Sequence, residues 1–214
     1  MGSRDFDLGV YLVTDRACCG ARGVEHVVGA AIDGGVTLVQ LRDKNIDARP
    51  MLALGRRLLE LLRPAGIGLI VNDRIDVALA LDAEGVHIGQ QDIPYPEARR
   101  QLGPTKIIGV SVGSEAEARQ AAGWDVDYVG VGPVYPTATK PDAGMALGAD
   151  ETARLANISG HRAVAIGGID VTNAAALYAA GLEGVAVISA ICAASDPGAA
   201  TREFVRVMRE RRTG

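Results

Sequence analysis

Eight short apolar runs recur along this chain, and amphipathic segments separate them. Apolar runs of this length are typical of parallel strands that are buried on both faces in α/β proteins. Eight strands that alternate with helices predict a closed (β/α)8 barrel. The predicted strands span residues 10–14, 37–41, 69–71, 86–88, 107–110, 128–131, 163–166 and 185–188.

A similar phrase recurs where three predicted helices give way to strands. Residues 31–36 are Ala-Ile-Asp-Gly-Gly-Val, residues 81–86 are Leu-Asp-Ala-Glu-Gly-Val, and residues 180–185 are Ala-Gly-Leu-Glu-Gly-Val. Glycine permits the tight turn that such a junction needs. The repetition favours the barrel over the alternative, an open doubly wound sheet. No Gly-x-Gly-x-x-Gly follows the first strand, as a dinucleotide-binding sheet would require.

Length and composition fit one α/β domain over residues 1–214. Hydrophobic residues make up 48% of the chain and aromatic residues only 4%, so aliphatic side chains must fill the core. The net charge is −4, and no basic patch interleaved with aromatics predicts nucleic-acid binding. Three cysteines without a Cys-x-x-Cys motif indicate a reducing compartment, and we expect a cytoplasmic protein without a membrane anchor.

Carboxylates follow two neighbouring predicted strands. Asn72 and Asp73 come directly after the third strand, and Asp92 follows the fourth. The carboxyl ends of barrel strands share one rim, which is where barrels build their sites. Two carboxylates together with substrate phosphate oxygens suit Mg²⁺. The alternative is that Asp73 caps the following helix and Asp92 forms a turn before Pro94.

Cations are predicted on the same rim. Arg42 and Lys44 follow the second strand, and Lys140 follows the sixth. Together with a metal ion they suit a diphosphate whose departure builds up negative charge. We therefore expect diphosphate to be a leaving group in a transfer reaction between two small-molecule substrates.

A second anion site is expected at the loops after strands seven and eight. Gly167 and Gly168 follow one strand, and Ser189 follows the other. Backbone N–H groups in glycine-rich loops and at helix N-termini bind phosphate. The alternative is that the two glycines only make a tight turn.

Two further features have weaker functional signals. His87 lies within the fourth strand and is expected to pack inside the barrel rather than to act as a base. A long connection begins at Tyr135, and we expect it to close over bound substrate as a lid.

Taken together, these residues resemble the thiamine phosphate synthase family. The matching phrases are Tyr-Leu-Val-Thr-Asp-Arg at 11–16, Val-Gln-Leu-Arg-Asp-Lys at 39–44, Val-Asn-Asp-Arg at 71–74, Gly-Val-His-Ile-Gly-Gln-Gln-Asp at 85–92, Ile-Gly-Val-Ser at 108–111, the run at 128–140, Ala-Ile-Gly-Gly-Ile at 165–169 and Val-Ile-Ser at 187–189. Members are TIM barrels. They join 4-amino-2-methyl-5-hydroxymethylpyrimidine diphosphate to 4-methyl-5-hydroxyethylthiazole phosphate, or to its carboxylated form.

The resemblance also implies roles for particular residues. It implies Mg²⁺ on Asp73 and Asp92, and a dissociative reaction in which Arg42, Lys44, Ser111 and Lys140 are catalytic. The residues implied for pyrimidine diphosphate are Gln40, Leu41, Arg42, Asp43, Lys44, Asn72, Ser111 and Lys140. Those implied for thiazole phosphate are Thr137, Ala138, Thr139, Gly168, Ile188 and Ser189.

One position departs from the pattern of many relatives, because Gly113 stands where they carry histidine. Related thiazole tautomerases resemble this family and use a histidine there. A tautomerase and a non-catalytic regulatory barrel are the alternative functions. The cations and the aspartate pair argue against a tautomerase, and the aspartate pair argues against a regulatory barrel.

Overall fold

The eight-stranded barrel predicted from the sequence is confirmed. The structure is a computed structural model that describes residues 6–44, 46–137 and 144–212. In those residues, eight parallel strands hydrogen-bond in sequence order, and β1 (Val10–Val13) pairs with β8 (Gly184–Val187) to close the barrel. The strands between them are β2 (Leu38–Leu41), β3 (Gly68–Asn72), β4 (Gly85–Ile88), β5 (Ile107–Val112), β6 (Tyr128–Val131) and β7 (Ala163–Ile166).

Helices connect the strands and cover the outside of the barrel. Within the same residues they are α1 (Arg16–Cys19), α2 (Val24–Gly34), α3 (Ala48–Leu62), α4 (Ile75–Leu81), α5 (Tyr95–Leu102), α6 (Glu115–Ala122), α7 (Gly148–Ser159), α8 (Val171–Ala179), α9 (Ser189–Cys192) and α10 (Pro197–Arg212). None of these helices combines the length and the apolar character that crossing a lipid bilayer requires.

The core has two layers because side chains alternate between the two faces of each strand. The larger, outer layer packs between the sheet and the helices, where Leu41 and Val71 are fully buried. The inner layer fills the barrel, and its buried members are Leu8, Tyr11, Val13, Leu38, Ile70, Ile107, Tyr128, Val164 and Ala186. Gln40 is also buried on the inner face. Polar groups therefore enter an otherwise apolar interior.

Phe6 closes the end of the barrel where the strands begin. Its ring contacts that of Tyr128, with the centroids 5.9 Å apart. The guanidinium carbon of Arg162 lies 4.2 Å from the Phe6 ring centroid, and Nη2 of the same residue donates to the Phe6 carbonyl at 2.7 Å. Arg162 also pairs with Glu183. A stacked, ion-paired arginine thus holds the chain across this end, which leaves the opposite end for a site.

Candidate active site

A cavity of about 480 Å³ opens at the carboxyl ends of the strands. Residues from every strand or from the loop that follows it contribute, as the shared rim predicts. Its lining includes Tyr11, Gln40, Arg42, Lys44, Asn72, Asp73, His87, Gly89, Gln90, Gln91, Asp92, Ser111, Gly113, Glu117, Tyr128, Gly130, Thr137, Gly167 and Ile188. Another depression, of about 500 Å³, lies outside the barrel between α2 and α10.

The two predicted metal-binding aspartates are neighbours in this cavity. Asp73 follows β3 and adopts a left-handed backbone, with φ of 60°. Its N–H donates to the His87 carbonyl at 2.9 Å, which ties the end of β3 to β4. Asp92 lies in the loop after β4, where its Oδ2 accepts from the Gly89 N–H at 2.7 Å. The Asp92 carboxyl group is close enough to that of Asp73 to raise its pKa.

Burial and the neighbouring carboxyl group raise the pKa of Asp73 to about 6, against the opposing effect of Lys44 and Arg42. A half-buried Asp73 carboxyl group whose charge is disfavoured by burial and by a neighbouring aspartate suits a divalent cation, since the cation would relieve both effects. The described residues contain no cluster of three or more His, Cys, Asp or Glu side chains that suits a metal ion. Substrate or water oxygens would therefore have to complete the coordination, as they commonly do for Mg²⁺.

The alternative interpretations of the two aspartates fare differently. Arg74, not Asp73, occupies the N-cap position of α4, and its side chain makes no capping hydrogen bond. The helix-cap interpretation of Asp73 is therefore wrong. Asp92 does close a turn onto Gly89, as that alternative expected, but it also lines the cavity beside Asp73.

Two of the three predicted cations lie in the described part of this cavity. The Arg42 guanidinium is mostly buried, and its Nη1 lies 3.1 Å from Oδ2 of Asp15. Asp15 therefore holds the guanidinium in place but occupies only part of its five N–H donors. Lys44 is exposed at the rim. Lys140 lies outside the described residues.

The predicted polar groups Gln40, Asn72 and Ser111 all line the cavity. Ser111 Oγ lies 3.0 Å from His87 Nε2, and the Ser111 carbonyl accepts from Gln90 Nε2 at 2.6 Å. His87 is inside the barrel, as expected, but it borders the cavity instead of being sealed in the apolar core. The structure thus adds an imidazole to the predicted set.

Leu41 and Asp43, both predicted to contact pyrimidine diphosphate, have side chains outside the cavity lining. Leu41 is fully buried in the outer core layer, because strand alternation directs it away from Gln40 and Arg42. Asp43 instead pairs with Arg16, whose Nε lies 2.8 Å from its Oδ2. A contact from either residue would have to come from the backbone.

The predicted phosphate loops border the cavity through Gly167 and Ile188, with Gly168 and Ser189 the next residues along the chain. Thr137 also lines it, while Ala138 and Thr139 lie outside the described residues. Asp170 caps α8, since its carboxylate accepts from the N–H groups of Thr172 and Asn173. The N-terminus of α8 is thus already satisfied by a carboxylate. Phosphate binding in these loops stays a prediction.

Tyr11 and Tyr128 were not predicted as site residues, although both line the cavity floor. The signal that could have found them is strand alternation, which directs both rings into the barrel. Alternation alone could not show that the two hydroxyls meet, 2.9 Å apart, from strands separated by 117 residues.

Comparison with known proteins identifies the family. A family model described as thiamine monophosphate synthase matches residues 10–191. The thiamine-phosphate synthase of Roseiflexus castenholzii is 50% identical over 202 residues, which cover 94% of this chain and 89% of that protein. The thiamine-phosphate synthase of Roseiflexus sp. is 51% identical over 199 residues, which cover 93% of this chain and 84% of that protein.

A solved structure agrees with the sequence matches. The thiamine phosphate pyrophosphorylase of Pyrococcus furiosus superimposes with a TM-score of 0.88 at 38% identity, over 95% of this chain and 96% of that one. Family model, sequence relatives and fold coincide over nearly the whole length. The chain therefore belongs to the thiamine monophosphate synthase family.

Proposed function

We propose that this chain is a thiamine-phosphate synthase. It would join 4-amino-2-methyl-5-hydroxymethylpyrimidine diphosphate to 4-methyl-5-hydroxyethylthiazole phosphate, or to its carboxylated form, and release diphosphate. The observation that carries the proposal is the pairing of Asp73 with Asp92 in a cavity that also holds Arg42 and Lys44. This combination of charges suits a diphosphate and a divalent cation.

The protein's own part in such a reaction is to bind and orient charge. Arg42, held by Asp15 at 3.1 Å, presents a rigid donor fork to diphosphate oxygens. Lys44 adds a second positive charge at the rim, and Lys140 is proposed as a third. Preorganised cations stabilise negative charge as the C–O bond to diphosphate breaks. No protein base is needed for that step.

Asp73 and Asp92 are the residues that would hold Mg²⁺. When bound, the ion would supply positive charge to the departing diphosphate. Gln40, Asn72 and Ser111 supply amide and hydroxyl groups that can orient the pyrimidine ring in the cavity.

The thiazole phosphate is proposed to lie on the other side of the cavity, held by Thr137, Ala138, Thr139, Gly168, Ile188 and Ser189. The connection from Tyr135 is proposed to close over both substrates, and substrate-dependent protease protection of this segment would test that closure. The free thiols of Cys18, Cys19 and Cys192 suit a reducing compartment, so we expect the enzyme in the cytoplasm.

The decisive experiment measures diphosphate release with both substrates, with each substrate alone, and with or without Mg²⁺. We expect release only when both substrates and the metal are present. Asp73→Asn should lower the rate by orders of magnitude, because it removes a charged metal ligand. Its matched control is Asp82→Asn, since Asp82 also has a left-handed backbone but is exposed, at the far end of α4.

The same assay separates the alternatives. A tautomerase would isomerise the thiazole without releasing diphosphate, and a regulatory barrel would bind it without turnover. Either outcome, or equal loss of rate in Asp73→Asn and Asp82→Asn, would contradict the proposal.

A further inference from the structure

A row of hydrogen-bonded side chains crosses the interior of the barrel and ends at the cavity. Gln40 Nε2 donates to the Tyr11 hydroxyl at 2.8 Å. The hydroxyls of Tyr11 and Tyr128 lie 2.9 Å apart. Nδ1 of His87 lies 3.0 Å from the Tyr128 hydroxyl, and its Nε2 lies 3.0 Å from Ser111 Oγ. We call these five residues the interior network.

The barrel makes room for this network at two glycines. A side chain on Gly109 would overlap the Tyr128 ring, 2.0 Å from Cζ. A side chain on Gly130 would lie 3.0 Å from Cε1 of His87. Small residues on the inner face thus give both rings their space, so the network belongs to the packing of the barrel interior.

All hydrogen bonds of the interior network run in the same direction, from Gln40 toward Ser111. This direction follows from which atoms carry a hydrogen to donate. An amide nitrogen only donates, so the Tyr11 oxygen accepts from Gln40. Burial raises the pKa of both Tyr11 and Tyr128 well above the ordinary value, so each phenol keeps a single proton. Tyr11 then donates its hydroxyl hydrogen bond to Tyr128, and Tyr128 donates its own to Nδ1 of His87.

The donor and acceptor roles of His87 and Ser111 follow from the same argument. Because Nδ1 of His87 accepts from Tyr128, the proton of the neutral imidazole is on Nε2, where it faces Ser111 Oγ. The serine oxygen accepts this hydrogen bond from Nε2–H. The Ser111 hydroxyl can then donate its own hydrogen bond into the cavity.

We propose that Gln40, acting through Tyr11 and Tyr128, fixes the tautomer of His87 and thereby makes Ser111 a hydrogen-bond donor to substrate. Tyr11, Tyr128 and His87 are positioning residues in this scheme, and only Ser111 touches the substrate through the network. The identity of the acceptor rests on the proposed function, where it is an acceptor atom of the pyrimidine substrate. The tautomer itself does not depend on that function.

Gln40→Glu tests the polarity directly, because a carboxylate of the same shape accepts where the amide donates. Every hydrogen bond of the row should then reverse, and the His87 proton should move from Nε2 to Nδ1. Long-range ¹H–¹⁵N correlation spectra report the tautomer of each imidazole. His87 is distinguished from His26 and His161 by a His87→Gln sample. Spectra are recorded from about pH 7 to about pH 10, because burial can raise the pKa of a glutamic acid to about 8–9. The tautomer of Gln40→Glu is taken at the pH at which the new carboxyl group is ionised.

The matched control is the double variant Tyr11→Phe/Gln40→Glu. Without the Tyr11 hydroxyl, the new carboxylate has no hydrogen-bonded connection to Tyr128. Tyr128 can then again donate a hydrogen bond to Nδ1 of His87. We expect the proton of His87 on Nε2 in the parent and in the double variant, and on Nδ1 in the single variant. An unchanged tautomer in Gln40→Glu, or the same tautomer in both variants, would overturn the proposal.

Turnover gives a second readout that a purely structural role would not produce. Gln40→Glu should lower kcat about tenfold or more, because it removes both the amide proposed to orient the pyrimidine and the hydrogen bond from Ser111 to the substrate. The double variant should recover part of that loss, because Ser111 regains its donor role. A double variant slower than the single one would contradict the coupling. If the parent protein released no diphosphate, the proposed function would fail, and the spectra would still decide the tautomer.

Discussion

The ring of Tyr128 fills the space in which a side chain on Gly109 would lie. The two residues are paired across β5 and β6, and a methyl group on Gly109 would come within 2.0 Å of Cζ of the tyrosine. Since Tyr128 is fully buried, it has no open side toward which to move. The polar interior of this barrel therefore depends on a missing side chain one strand away.

Gly109→Ala should accordingly be strongly destabilising. Overpacking a rigid core costs about 3 kcal/mol at the upper end of the usual range, and here a buried ring must be displaced. Urea denaturation should show a lower midpoint with little change in slope. Ring displacement should also disturb the imidazole signals of His87.

The matched control for this substitution is Gly29→Ala in α2. Apart from its chain neighbours and the backbone of α2 itself, no atom of the described residues lies within 4 Å of the position that the new methyl group would occupy. Alanine replaces glycine inside a helix there, so the free energy of unfolding should rise by about 0.5–1 kcal/mol. Equal effects of the two variants would contradict the packing argument.

The sequence predicted the barrel well because each strand is a short apolar run with polar residues at its end. Predicted and observed strands differ by at most two residues at either end. The aspartate pair was predictable for the same reason, since a closed parallel barrel brings consecutive strand ends together. The local sequence pattern was sufficient for these features because strands that follow one another in the sequence are also adjacent in the barrel.

The local sequence pattern did not predict site residues correctly where the direction of a side chain, or a contact across the barrel, determines whether the residue reaches the cavity. Leu41 lies within the same run as Gln40 and Arg42, yet alternation buries it on the outer face. Tyr11 and Tyr128 meet across the interior, and that contact depends on the register of several strands. No local feature of either strand contains that information.

Arg162→Lys should destabilise the end of the barrel where the strands begin. Lysine cannot both stack on Phe6 and present two parallel donors to Glu183. In the structure, Nε of Arg162 lies 2.9 Å from Oε2 of Glu183 while the guanidinium covers the ring. We expect a loss of about 1–2 kcal/mol in the free energy of unfolding.

Arg119→Lys provides the comparison, because Arg119 is exposed and pairs with Glu115 one turn away on α6. Its free energy of unfolding should change by less than about 0.5 kcal/mol. A loss in Arg162→Lys no larger than in this control would mean that the stacked arrangement contributes little.

Gly168→Ala should impair activity, because the loop after β7 packs against the connection that follows β6. Gly168 has φ of 64°, and a methyl group there would lie 2.6 Å from the Pro136 carbonyl oxygen and 2.8 Å from Cβ of Tyr135. The loop must shift to admit it. Under the proposed function, diphosphate release should fall more than tenfold and KM for thiazole phosphate should rise.

Backbone strain alone is measured by Gly160→Ala. Gly160 has a similar φ of 68°, but in the described part of the chain nothing beyond its two sequence neighbours lies within 4 Å of the added methyl group. This variant should lose about 1 kcal/mol of stability and keep its activity. If Gly168→Ala behaved in the same way, displacement of the loop would have no functional consequence.

Asp73→Asn should stabilise the metal-free protein at neutral pH. Since burial and Asp92 raise the pKa of Asp73 from 3.8 to about 6, its ionised form is disfavoured in the folded state. The favourable contribution of this carboxyl group is complete below pH 4 and is lost as the pH rises through 6. Asparagine has no charge to bury, and it tolerates the left-handed backbone of this position. Because the site is half exposed, we expect a gain on the order of 1 kcal/mol at pH 7.5.

Asp82→Asn should show the opposite sign, which makes the pair a sharp test. Lys106 donates to Asp82 at 2.5 Å and lowers the pKa of that carboxyl group. Its stabilising effect is present at neutral pH and is lost as the pH falls through the lowered pKa. Urea denaturation of both variants at pH 4 and pH 7.5, in EDTA, measures the difference. Adding Mg²⁺ should then stabilise the parent and Asp82→Asn but not Asp73→Asn, since a ligand stabilises only the folded form that binds it. If Asp73→Asn were less stable than the parent at pH 7.5 in EDTA, the ionised Asp73 carboxyl group would not destabilise the metal-free protein, which contradicts the prediction.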